Sequence, residues 1–232
     1  MARDIIGETQ ELWGEGHSTD SATVQRNYDT FAESGCYDET FEAWGYVGPQ
    51  TAAAIARNFV PLDSRILDAA CGSGLTGSAL HDLGYRHIEG IDIAAGLLEL
   101  AEKTGAYARV QQVDMQALPL PFDDDEFDAV NFIGALTYFE TTEILRELCR
   151  IVRAGGHVVF SHRDDIMRDR NDGERFDELE HDGIWTRVFG TEPMPYLPNH
   201  PDYGDRIGVQ YFVYEVRETV ADPTTFHTGS TR

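Results

Sequence analysis

Lysine is almost missing from this chain: Lys103 is the single one in 232 residues, and arginine carries the other side-chain cations. Set against 41 acidic residues, this leaves a formal net charge of −23. A field of that sign repels phosphate, which argues against nucleic acid and anionic membrane as partners. It suits a salt-rich habitat but identifies no substrate. Cysteine is scarce as well. Cys36, Cys71 and Cys149 are widely spaced and odd in number, so a disulfide framework and a zinc-ribbon spacing are both excluded, leaving ordinary reduced thiols. No histidine pair has the HxH or HxxxH spacing of a zinc site. The acidic run Asp123, Asp124, Asp125 and Glu126 reads as a solvated turn, because consecutive carboxylates converge poorly on one cation. No metal is expected. Apolar runs are short, none nearing the roughly 18 residues of a membrane span. The first residues lack the apolar stretch of a secretory signal. No membrane partner and a cytoplasmic location are therefore expected. No repeat of 20 to 50 residues is visible.

What is present is a globular composition, 41% hydrophobic and 25% charged, at a length that suits one α/β domain. Residues 1–20 read as a flexible arm and 21–232 as a single domain, with a helical lid at 21–60 and a core at 61–232. In the lid, one helical pattern starts near Asp20 and a second follows Pro49 through 51–59. An aromatic-rich connection with Tyr37, Phe41, Trp44 and Tyr46 joins them. From Arg65, strand patterns at 66–69, 87–92, 108–113, 127–133 and 157–161 alternate with helices at 75–84, 94–104 and 141–152. The last helix is expected to stop before Gly155-Gly156, read as its C-terminal stop signal. This alternation predicts a parallel, doubly wound sheet. A helix at 174–185 and strands at 186–189 and 209–216 follow, the strands pairing as an antiparallel edge. Between them lies a loop with Pro193, Pro195, Pro198 and Pro201, either functional or poorly ordered.

The turn Asp68-Ala69-Ala70-Cys71-Gly72-Ser73-Gly74 follows the first strand. Gly72 and Gly74 allow positive φ and close approach of the backbone to a ligand, and the next helix offers free N–H groups. Gly72-x-Gly74-x-x-Gly77 also fits the dinucleotide pattern, and Asp92 ends the second strand where a carboxylate can accept both ribose hydroxyls. Together they predict an adenosine-containing ligand at the switch point, without separating NAD from S-adenosylmethionine. Asp68 discriminates: a carboxylate there repels a pyrophosphate and suits a cationic sulfonium with a free α-amino group. Asp114 is placed to accept from the adenine amino group while Met115 covers the ring; the alternative for Asp114 is a helix N-cap.

These segments, with Gly90-Ile91-Asp92-Ile93, 118–123 and 127–130, resemble in order and spacing the motifs of class I methyltransferases over about residues 28–162. Tyr28-Asp29, Tyr37-Asp38, Gly45-Tyr46-x-Gly48-Pro49 and Trp185 with 195–198 are similar to the Williams–Beuren-region methyltransferase-like type. The resemblance implies a Rossmann-like, seven-stranded sheet of order 3-2-1-4-5-7-6 with strand 7 antiparallel. It implies S-adenosylmethionine as methyl donor, held by Asp68, Ala70, Cys71, Gly72, Gly74, Asp92, Ile93, Asp114 and Met115. Asn131 and Ile133 would line the cleft, and Tyr28 would close over the methionine moiety. Ala70 stands where the family has glycine, a change that close packing should tolerate.

Past strand five, His162 is positioned to take a proton from an acceptor and Arg163 to hold a substrate carboxylate; the alternative is a cap or ion pair with Asp164 and Asp165. Tyr138 is expected where a substrate meets the methyl group, and Tyr37, Tyr46 and Tyr196 as substrate lid. The expected activity is methyl transfer to O, N or S of a small molecule, by a monomer or homodimer. A non-catalytic cofactor-binding sensor and an NAD-dependent oxidoreductase are the rivals; the latter would bind NADH and have no need of Asp68.

Overall fold

A computed structural model describes residues 20–139, 143–204 and 206–218. The arm expected at 1–20 therefore lies outside the described residues except for Asp20, as do the chain's last fourteen residues. Three helices come first: α1 (Ser21–Glu33), α2 (Tyr37–Ala43) and α3 (Gly48–Ala56). The Asp20 side chain accepts from the Thr23 amide and starts α1. In α3 the Pro49 ring sits in the first turn, where its missing N–H costs nothing. The middle helix lies within the segment read as an aromatic-rich connection between two helices. Its aromatic residues hide the period, and Phe41 is its one fully buried side chain.

The alternating region follows as β1 (Arg65–Ala69), α4 (Leu75–Asp82), β2 (His87–Asp92), α5 (Ala95–Lys103), β3 (Arg109–Gln112) and β4 (Phe127–Phe132). A single 3-10 turn (Leu136–Tyr138) precedes α6 (Glu143–Ile151) and the long β5 (Val152–Arg163). Then come α7 (Asp164–Arg170), α8 (Asp172–His181), β6 (Trp185–Gly190), the two-residue β7 (Met194–Pro195) and β8 (Gly208–Val216).

The sheet order is β3-β2-β1-β4-β5-β8-β6, with β7 paired to β8. Strands β1 to β5 are parallel, and β8 runs antiparallel between β5 and β6. The expected order holds, β8 taking the place of strand seven because β7 adds a short pairing. Three local expectations are overturned. Gly155-Gly156 does not end a helix; β5 begins directly after α6, and a Cβ on Gly156 would lie 2.5 Å from the Asp128 carbonyl, so glycine permits the tight β4–β5 bulge. The helix expected at 174–185 starts earlier and ends at His181, Gly183 following at positive φ. A separate α7 precedes it, broken off by Asn171 at φ +56°. Trp185 belongs to β6, where its ring stacks 3.9 Å from Tyr214.

Two apolar layers flank the sheet. One gathers Leu67, Val130, Phe132 and Phe160 against α6 and α8. The other sets Ile66, Ala129, Val159 and Val213 against Ala53 and Ala56 of α3 and Leu80 of α4. A third cluster, Phe31, Phe41, Trp44, Tyr196, Leu197 and Tyr211, joins α1 and α2 to the proline-rich loop. That loop is thus packed, with Tyr196 and Leu197 buried. Among the described residues, no helix is long and apolar enough to cross a membrane.

Candidate functional site

A cleft opens at the carboxyl edge of β1, β2 and β4, roofed by α1. Parallel strands bring their carboxyl ends together here and change direction of winding between β1 and β4. Gly72 at φ +55° and Asp92 form its base. The Asp92 carboxylate accepts from the Gly72 amide through Oδ2 (2.8 Å) and from Ala94 through Oδ1 (2.9 Å). Those two bonds fix its plane and leave further lone pairs on each oxygen. Burial raises its pKa, opposed by the backbone donors.

One wall is Ile93, Val113, Asp114 and Met115; the other is Ile133, Ala135 and Tyr138. Asp114 Oδ1 accepts from Gln116 N (2.9 Å) and from the Ser21 hydroxyl (2.8 Å). It caps a turn, not a helix, and faces the cleft as well. Tyr28 and Val24 reach down from α1. The Tyr28 and Tyr138 hydroxyls are 2.6 Å apart, and burial pushes both phenols up, so both stay protonated. The cover is tied to the core twice more. Asp29 Oδ1 accepts from Gly96 N in the first turn of α5 (2.9 Å), and Asp38 Oδ1 from the Ser73 hydroxyl (2.5 Å). The Tyr37 ring lies over the turn, its hydroxyl 3.5 Å from where a Gly72 Cβ would stand.

Several expected residues sit behind this wall. Asp68 is buried beneath the turn, its Oδ2 accepting from the Tyr107 hydroxyl (2.6 Å), and burial raises its pKa to about 7. Cys71 packs with Leu98 and Ala101. Gly74, at φ +95°, precedes α4. Ala70 does line the cleft, but at φ +56°, so its methyl carries backbone strain in addition to any question of packing. Asn131 pairs in register with Asp68, and its amide is buried with neither polar atom hydrogen-bonded.

The substrate-side expectations divide. Tyr37 and Tyr138 are on the cleft. Tyr46 packs edge-on to Tyr196 in the layer behind it. Arg163 makes two hydrogen bonds to Asp165 (3.0 and 2.6 Å) and lies over the Tyr203 ring, so its charge is already paired. His162 is buried on the opposite face, Nε2 against Asp172 Oδ2 at 2.8 Å, and does not reach the cleft. A strand-end position does not reveal which face of a sheet a side chain takes. Sequence reading missed Tyr107, whose place between α5 and β3 carries no motif.

A doubly wound sheet of this order, with an acidic residue ending β2 and a glycine turn after β1, defines the class I methyltransferase fold. The methyltransferase-domain family profile matches residues 67–160. The human methyltransferase-like protein 27 is 30% identical over 165 residues, 68% of this chain and 66% of that protein. A demethylmenaquinone methyltransferase of Clavibacter sepedonicus is 36% identical over 130 residues, 54% of this chain and 53% of its own length. The chain thus spans about half to two thirds of these relatives. A putative methyltransferase of Haloferax volcanii, solved in complex with a methyltransferase activator, superposes with a TM-score of 0.63 at 16% identity, covering 86% of this chain and 100% of that one. The chain belongs to the class I S-adenosylmethionine-dependent methyltransferases.

Proposed function

We propose that this protein transfers a methyl group from S-adenosylmethionine to an oxygen, nitrogen or sulfur atom of a small molecule. The observation that carries the reading is Asp92: a buried carboxylate at the base of the cleft, oriented by two backbone amides and placed to accept a ribose diol. Ile93 and Met115 would flank the adenine, and Asp114 would accept from its amino group. The orphaned Asn131 amide beside Asp68, buried behind the wall, would give the amino-acid end of the donor a polar partner. Gly72 keeps the backbone low enough for close approach.

When bound, the donor supplies an electrophilic methyl on sulfur. The residues of this chain align and enclose. Buried phenols such as Tyr28, Tyr37 and Tyr138 stay protonated, so they donate hydrogen bonds and take no proton. The rate would come from alignment and exclusion of water. With Asp92 at the base, Asp114 on one wall and Arg163 paired to Asp165, the cleft favours an uncharged or cationic acceptor. Calorimetric titration of S-adenosylmethionine should show binding by the wild type and loss of roughly 100-fold or more in Asp92→Ala, the scale of two charge-assisted hydrogen bonds. No binding by the wild type, or equal binding by the variant, would overturn the assignment.

A further inference from the structure

We propose that Tyr107, which lies outside the cleft, is a positioning residue that holds the Asp68 carboxylate and the first turn of α4 in place for the donor's amino group. This rests on the donor reading above. The Tyr107 ring occupies space that three glycines leave open. A Cβ on Gly77 would lie 2.2 Å from its Cζ, one on Gly90 3.0 Å from its Cε1, and one on Gly74 3.0 Å from its Cε2. In this chain, therefore, the Gly72-x-Gly74-x-x-Gly77 pattern is used largely on a tyrosine, with Gly72 alone of the three lining the cleft.

The Tyr107 oxygen makes two bonds. It accepts from the Gly77 amide (3.1 Å), one of the unpaired donors of the first turn of α4, and it donates to Asp68 Oδ2 (2.6 Å). With the Gly77 N–H directed at the oxygen, the phenol's own proton is directed to the carboxylate. One side chain thereby couples the end of β1 to the start of α4, on either side of the ligand turn.

Asp68 is a costly residue to bury. The titratable groups around it are Tyr107 from the α5–β3 connection, Asp92 from β2, Cys71 from the turn and Tyr46 from ahead of α3. The neutral Asn131 flanks it on β4. None of these is a cation. Burial pushes the Asp68 carboxyl up and Asp92 adds to that, while the Tyr107 hydroxyl, and after it the Gly77 amide, act in the opposite direction. Removing that hydroxyl should leave Asp68 protonated over more of the neutral range. A protonated Asp68 attracts an ammonium group less.

The test is Tyr107→Phe, which keeps the ring among the glycines and removes only the oxygen. Carboxyl carbon-13 NMR on ligand-free protein should place the Asp68 midpoint near pH 7 in the wild type and about one unit or more higher in the variant. Titrations with S-adenosylmethionine from pH 6 to 9 should show the same displacement, with affinity at pH 7 about fivefold weaker or more. An unchanged midpoint with unchanged affinity would overturn the proposal and reduce Tyr107 to packing. Because the NMR midpoint needs no ligand, it still decides the role of Tyr107 if the wild type binds no donor. Should Tyr107→Phe fail to fold, the wild type answers alone. Its Tyr107 hydroxyl proton should exchange slowly and shift with the Asp68 titration, and a freely exchanging one overturns the assignment.

Discussion

Trp185 and Trp44 are both buried, yet they belong to regions held together by different means. Trp185 starts β6, donates Nε1–H to the Phe176 carbonyl (3.1 Å), and stacks with Tyr214 and Phe160 inside the largest apolar cluster. Trp44 sits in the cover, edge-on to Phe41 and His200, where the N-terminal helices meet the proline-rich loop. The core is a continuous sheet whose backbone bonds and apolar faces reinforce each other. The cover relies on rings that meet mostly edge-on or tilted and on a few polar ties: Ser21 to Asp114, Tyr28 to Tyr138, Asp29 to Gly96 and Asp38 to Ser73. Apolar burial is non-directional and scales with area, whereas these ties are few and separately breakable. A region of the second kind can open without unfolding the first.

The largest effect should come from Trp185→Ala, which leaves a cavity where the sheet is most crowded and should cost about 3–5 kcal/mol of global stability in urea unfolding. Trp44→Ala should instead concentrate its effect in the cover, seen as faster amide exchange around Tyr46 and Tyr196 with a smaller global loss. Equal global losses would erase the distinction. Next in size, Asp29→Ala and Asp38→Ala each remove one polar tie, worth about 1 kcal/mol. Exchange should quicken in α1 and α2, the melting temperature should barely move, and affinity for the donor should fall. A full shift of the melting transition would show that the cover and core unfold as one. The smallest effect, and of opposite sign, is expected from Ala70→Gly. Relief of a left-handed backbone at φ +56° is offset in part by glycine's greater freedom when unfolded, leaving a gain of about 0.5–1 kcal/mol. A loss would mean that the Ala70 methyl packs more than it strains.

The core was largely legible because its signals are local. Apolar runs such as Val158-Val159-Phe160, punctuated by Gly and Asp, mark strands buried on both faces, and the resemblance to class I methyltransferases supplied their order. Asp92, Gly72, Asp114 and Met115 were legible for the same reason: each ends a strand or opens a turn. The cover was less so. The seven-residue α2 is too short and too aromatic to display a period, and the packing of Tyr196 depends on residues 150 positions away. His162 shows a further limit. One residue of register separates the Ser161 face, whose hydroxyl accepts from Gly134 N beside the cleft, from the His162 face buried against α8. Tyr107 was silent because two of its partners, Gly74 and Gly77, already had a sufficient explanation as ligand-turn glycines, and the third, Gly90, lies within β2.

The bond from Asp38 to Ser73 has a further consequence. Ser73 lies between Gly72 and Gly74, so the cover grips the same turn that the donor would touch. Two guests of one short segment cannot be thermodynamically indifferent to each other whenever holding the segment costs it freedom. If the covered form binds the donor more tightly by some factor, the bound donor must hold the cover more tightly by that same factor. The enclosure of the cleft is then an equilibrium that its own ligand shifts, with Ser73 as the shared term.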